Sequence, residues 1–129
     1  MIARPVRRAH PTVSVVSIGI GDDLPLLRPL RDDLDGLVVA AFGVGHVPAA
    51  LVDLLADYAG RMPVVLASRT GAGMIHRATY GFPGSEVDLQ ARGLINAGHL
   101  DPHKARILLG LLIGAGRDHI IDVFERVNA

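Results

Sequence analysis

Asp35-Gly-Leu-Val-Val-Ala-Ala41 runs directly into Phe42-Gly-Val-Gly-His-Val-Pro48, and this stretch decides the fold. The first half is apolar at consecutive positions, as in a strand buried on both faces of a parallel sheet, where no side is left for polar alternation. The second half is a turn. Gly43 and Gly45 permit a sharp change of direction, and Pro48, with its fixed φ and missing N–H, suits the first turn of a helix. The next helix is written at a period of 3.6: Val47, Leu51, Leu54, Leu55 and Tyr58 share one face, and Gly60 stands where it can end.

Similar punctuation extends in both directions. Upstream, Thr12–Ile20 is rich in β-branched residues and stops at Gly21-Asp22, which predicts a short buried strand. Asp23–Asp33 places leucines at 24, 26, 27 and 30, with Pro25 tolerable in a first turn, and predicts a short helix. Downstream, Met62–Ser68 predicts a third strand. Arg69–Gly84 is an irregular loop rich in glycine and proline. Ser85–Arg92 reads as a helix capped by Ser85 with Glu86 in its first turn, and Gly93–Gly98 as a fourth strand. Asp101-Pro102 is a helix start, with Lys104, Ile107, Leu108, Leu111 and Leu112 continuing toward Gly114. A last amphipathic helix follows from Asp118, with Ile120, Ile121, Phe124 and Val127 expected on its buried side. Strands alternating with helices predict an α/β fold: a small, Rossmann-like, three-layer domain with a short, mainly four-stranded parallel sheet.

Composition narrows the function classes. The chain has 129 residues, half of them hydrophobic, so one compact core is expected. Thirteen basic and thirteen acidic side chains cancel, which gives no electrostatic reason to bind nucleic acid or an anionic membrane. There is no cysteine, so disulfides, thiolate metal sites and cysteine nucleophiles are excluded. Residues 1–11, with Arg4, Arg7, Arg8 and His10, read as a linker or flexible arm, and residues 12–129 as the domain. Met1–His10 has no apolar core of the kind a signal peptide needs, and no apolar run approaches the ~20 residues that span a bilayer. A soluble, cytoplasmic chain is the expectation.

Chemistry in such a sheet sits at the C-terminal ends of the strands. The Gly43–Pro48 turn is the first candidate, because glycines let backbone approach a ligand and the start of the next helix favours an anion. It is not a dinucleotide fingerprint, since the third glycine position is Pro48. His46 is the histidine expected to line a pocket. His99 and His103 are four apart, but Asp101-Pro102 interrupts the helix that a metal pair would need, so no metal or other cofactor is expected. Ser68, Thr70 and Thr79 are hydroxyls without an evident base and orienter, and no catalytic residue is assigned.

Three pieces in order carry a family resemblance: the GxGxxP turn at Gly43–Pro48, the VVxxSR strand end at Val64–Arg69, and the AGxLxPxKARxLL run at Ala97–Leu109. From about Val13 to Val127 the chain resembles the C-terminal domain of bacterial-type L-asparaginases, some of which also act on glutamine. The resemblance implies a partner, an N-terminal catalytic domain bearing the active-site threonines, aspartate and lysine, in a homo-oligomer whose sites form between subunits. The Thr-Gly-Gly-Thr and Thr-Asp-Thr motifs of that domain are not in this sequence, so no amide hydrolysis is expected from these residues alone. The family's substrate-holding asparagine falls on His46 and its acidic residue near Tyr80, with Glu86 a candidate to substitute for that acid. Gly43, Gly45, His46, Tyr80 and Glu86 are therefore the expected contacts to a small amino-acid substrate. The competing expectation is a free-standing binding or regulatory module holding a small anion at the Gly43–Pro48 turn.

Overall fold

The computed structural model describes residues 10–19, 24–43, 45–70, 75, 81–116 and 118–127. Four strands, β1 (Val13–Ser17), β2 (Gly36–Ala41), β3 (Val64–Ser68) and β4 (Ile95–Asn96), pair in the order β1-β2-β3-β4. All three pairings are parallel. The helices are α1 (Val52–Ala59), α2 (Glu86–Ala91), α3 (Pro102–Gly114) and α4 (Ile120–Val127). The expected α/β class, parallel sheet and three layers are all present.

Sequential strand order has a geometric consequence. When each crossover has the same hand and the sheet grows in one direction, every connection falls on the same face. The residues bear this out. Leu37, Val39 and Ala41 of β2 and Val64 and Leu66 of β3 share one core with Leu27, with Leu54, Leu55 and Tyr58 of α1, and with Leu89 of α2. The opposite face, with Val13, Val38, Val65 and Ala67, is covered by the two helices beyond β4, through Ala105, Leu109 and Ile113 of α3 and Ile120 and Phe124 of α4. Both faces of β2 and β3 are thus buried, which is why their sequences are unbroken apolar runs.

Several expectations give way. The helix expected over Asp23–Asp33 is, among the described residues, a single 3-10 turn at Pro25–Leu27. Pro29 has no N–H with which to continue it, and Arg28 before it is extended, as residues preceding proline tend to be. The Tyr58 hydroxyl holds this segment instead, donating to the Leu27 carbonyl at 3.0 Å and accepting from the Arg31 N–H at 2.9 Å. On α4, Ile120 and Phe124 are buried as expected, but Ile121 and Val127 are more than half exposed. The helix starts at Ile120, and the narrow stripe it buries is the i, i+4 pair.

The remaining elements agree with their sequence signals at the caps and on the buried helix face. Asp101 caps α3, its side chain accepting the Lys104 N–H at 2.9 Å, and Ser85 caps α2. The α1 face is buried at Val47, Leu51, Leu54, Leu55 and Tyr58. However, α1 is preceded by a 3-10 turn at Ala49–Leu51, so Pro48 stands just before the helical turns rather than inside them. β4 has two residues where six were expected. No helix among the described residues is long and apolar enough to cross a membrane.

Candidate functional site

With strand order never reversing, the sheet has no switch-point crevice of the doubly wound type. The site forms where the turn after β2 meets the segment leading into α2. Phe42 and His46 close the turn as a two-residue bridge, Phe42 N–H donating to His46 O at 2.8 Å and His46 N–H to Phe42 O at 3.0 Å. Gly43 and Gly45 have φ of +42° and +117°, the left-handed region that side chains disfavour. Gly45 is also packed: a Cβ there would lie 3.0 Å from the Ile75 side chain and 3.2 Å from Leu66.

Among the described residues, three backbone amides of the turn are already engaged. The Gly45 and His46 N–H groups both donate to Phe42 O, and the Val47 N–H donates to Gly84 O at 2.9 Å. Pro48 has none. The His46 side chain is part-exposed beside these amides.

His46 and Glu86, forty residues apart, meet. His46 Nε2 lies 2.9 Å from Glu86 Oε2. The Glu86 side chain is 0% exposed and that of His46 is 24% exposed, so the imidazole is the visible half of the pair. The Glu86 carboxylate is enclosed behind the imidazole. A carboxylate accepting from Nε2–H fixes the ring's tautomer and orientation. The Phe82 ring stands edge-on to the imidazole, with centroids 4.8 Å apart and planes at 76°. Tyr80 lies outside the described residues.

Next to this pair, at the ends of β2 and β3, the Arg69 guanidinium sits over the Phe42 ring, 4.9 Å from its centroid. Ser68 and Thr70 share a hydroxyl hydrogen bond of 2.8 Å. Since the Nε2 of His46 is committed to Glu86, neither hydroxyl is joined by it to a base at this nitrogen.

A supporting network lies behind the loop. Asp88 of α2 accepts the Gly84 N–H on Oδ2 at 2.9 Å and the Arg92 Nε–H on Oδ1, also at 2.9 Å. Arg92 reaches on to Asp53 of α1 at 3.3 Å. Phe82, Gly84 and Asp88 are not singled out by the sequence, although Ser85-x-x-Asp88 has the spacing of a capping box. The Gly84 N–H above all, and then the Arg92 guanidinium, hold the Asp88 carboxyl below its ordinary 3.8. A depressed acid contributes stability above its unfolded-state value and loses that contribution as pH falls through its folded value. Urea midpoints measured from about pH 6 to about pH 2 are therefore expected to drop below about pH 4, and to drop less in Asp88→Asn, which cannot titrate.

Residues 12–121 match the family profile described as "Glutaminase/Asparaginase C-terminal domain". A "Probable L-asparaginase" of Deinococcus radiodurans is 48% identical over 94 residues, covering 71% of this chain and 28% of that protein. An "L-asparaginase" of Bacillus licheniformis is 27% identical over 121 residues, covering 92% of this chain and 37% of the relative. A "Probable L-asparaginase periplasmic" of Haemophilus influenzae is 36% identical over 95 residues, 73% of this chain and 26% of that protein. The chain thus spans only between 26% and 37% of the length of these relatives.

Proposed function

The chain belongs to the glutaminase/asparaginase C-terminal domain family, and from that premise we propose that it provides the substrate-side and subunit-interface contacts of an L-asparaginase-type amidohydrolase. The nucleophile comes from an N-terminal catalytic domain, its threonine attacking the side-chain amide, ammonia leaving, and water then releasing aspartate from the acyl-enzyme. The observation that carries this reading is the His46–Glu86 pair: two positions that the resemblance assigns to the substrate lie within hydrogen-bond distance.

The pair suits the amino-acid end of a substrate. With Nε2 donating to Glu86, a neutral His46 ring is an acceptor at Nδ1, and the imidazolium is a donor there. The first meets an ammonium, the second a carboxylate. Glu86 keeps the ring turned toward either, and Phe82 fixes its edge. Gly43 and Gly45 shape the turn that delivers it. The assembled enzyme is a homo-oligomer in this reading, and we place it in the cytoplasm, although the Haemophilus influenzae relative is named periplasmic.

His46→Ala tests the role. In the assembled enzyme it is expected to raise KM for L-asparagine about tenfold, the worth of one hydrogen bond to a charged group, with a smaller change in kcat. An unchanged KM would remove His46 from the substrate's surroundings.

A further inference from the structure

Asp88 lies two residues beyond Glu86, and its carboxylate bonds elsewhere, to Gly84 and Arg92. It is nevertheless tied to the His46 segment by two consecutive hydrogen bonds. Its Oδ2 accepts the Gly84 N–H, and the carbonyl of that same glycine accepts the N–H of Val47, the residue after His46. Gly84 has no freedom to do this from elsewhere. It is buried at φ +85°, so close to the His46 segment that a Cβ would lie 2.3 Å from the Val47 carbonyl oxygen.

The placement of the carboxylate separates this from ordinary helix capping. Capping of α2 is done by Ser85, whose Oγ accepts the Asp88 N–H at 3.4 Å. In a reciprocal box the acid would return to the Ser85 N–H. That N–H instead donates to Phe82 O at 2.9 Å, and the Asp88 carboxylate reaches one residue further back, to the turn itself. The same turn carries Phe82, whose ring edges onto His46. One side chain therefore holds both the backbone next to His46 and the aromatic beside its ring, while Arg92 bonds its other oxygen and reaches Asp53 on α1.

We propose that Asp88 is a positioning residue for His46: through Gly84 it sets the Phe82–Ser85 turn, and that turn keeps the imidazole donating to Glu86. The proposal rests on His46 being the substrate-side group, but its test contains no substrate, so failure of that reading leaves the measurement interpretable. The test is the tautomer of His46 in the 129-residue chain, read from its imidazole ¹⁵N resonances above the ring's titration and assigned by their loss in His46→Gln. The wild-type ring is expected as the Nε2–H form. Asp88→Ala is expected to shift the tautomer ratio about fivefold toward Nδ1–H, the equivalent of losing one ordinary hydrogen bond. Arg92→Gln, which leaves the Gly84 bond in place, is expected to keep the wild-type ratio.

Should Asp88→Ala not fold, Asp88→Asn serves, because it preserves volume but offers one acceptor oxygen to two donors; its shift is expected in the same direction and smaller. A folded Asp88 variant with lowered stability and an unchanged tautomer ratio would make Asp88 merely structural and overturn the proposal. So would an Arg92→Gln shift as large as that of Asp88→Ala, which would reveal a general charge effect.

Discussion

Glu86→Ala is expected to lower the unfolding free energy by about 3 kcal/mol, because removing one partner of a buried pair leaves a cavity and an uncompensated neighbour. The carboxylate is fully enclosed and bonded to an imidazole that is itself three-quarters covered, so water cannot readily replace it. In the assembled enzyme the same change is expected to cut kcat/KM about tenfold, no more than His46→Ala, since the His46 ring loses the acceptor that fixes its direction. Glu86→Gln divides the two effects. It keeps the volume and one acceptor oxygen, so the stability loss falls to about 1 kcal/mol, while the missing charge still costs about threefold in kcat/KM. Denaturant unfolding and steady-state kinetics on both variants check this. A Glu86→Ala protein within about 0.5 kcal/mol of wild type would mean that the pair contributes nothing to the fold.

Gly84→Ala is expected to cost about 3 kcal/mol as well, for a different reason. The added methyl would overlap a backbone carbonyl at 2.3 Å rather than the end of a flexible side chain, so the chain itself must shift. Its φ of +85° adds the strain of a side chain in the left-handed region. Two neighbouring glycines separate these causes. Gly43 also has positive φ, but no atom lies within 4 Å of a Cβ built there, so Gly43→Ala is expected to cost only about 1 kcal/mol. Gly81 has open space and no positive φ, and Gly81→Ala should fall within about 0.5 kcal/mol of wild type. Thermal melts of the three would rank them in that order. A Gly84→Ala melt matching Gly81→Ala would show that the close approach of Gly84 to Val47 does not constrain the fold.

Much of this architecture is legible in the sequence because burial on both faces writes itself into a strand. Leu37–Ala41 and Val64–Ala67 have no polar interruption, and helices facing such a sheet must show a 3.6 period, as Leu51, Leu54, Leu55 and Tyr58 do. Capping residues mark helix starts at Ser85 and Asp101. The misread segments are those where tertiary contacts replace local ones. Asp23–Asp33 carries leucines at helical spacing, yet what holds its described part is the Tyr58 hydroxyl from another element. On α4, Ile121 and Val127 are apolar but face outward, which hydrophobicity alone cannot reveal.

The site is legible residue by residue and not as an arrangement. His46 stands out in a glycine turn and Glu86 in a first helical turn, but a hydrogen bond between positions 46 and 86 depends on how the chain beyond β3 brings α2 back beside the turn after β2. Nothing local in the sequence encodes that distance. Gly84 and Asp88 escape notice for the same reason. Their roles emerge only when the Val47 N–H is traced to the carbonyl that receives it.

In the proposed function these residues hold a substrate for a nucleophile that lies in another domain. Ammonia release from L-asparagine and L-glutamine tests it most directly, measured on the 129-residue chain alone and again with the N-terminal catalytic domain of a relative added in trans. The chain alone is expected to release none at any concentration, and the mixture to release ammonia at a rate that falls with the Glu86→Ala chain. Turnover by the chain alone, abolished by Thr70→Ala or Ser68→Ala, would contradict the claim by placing the nucleophile within these residues.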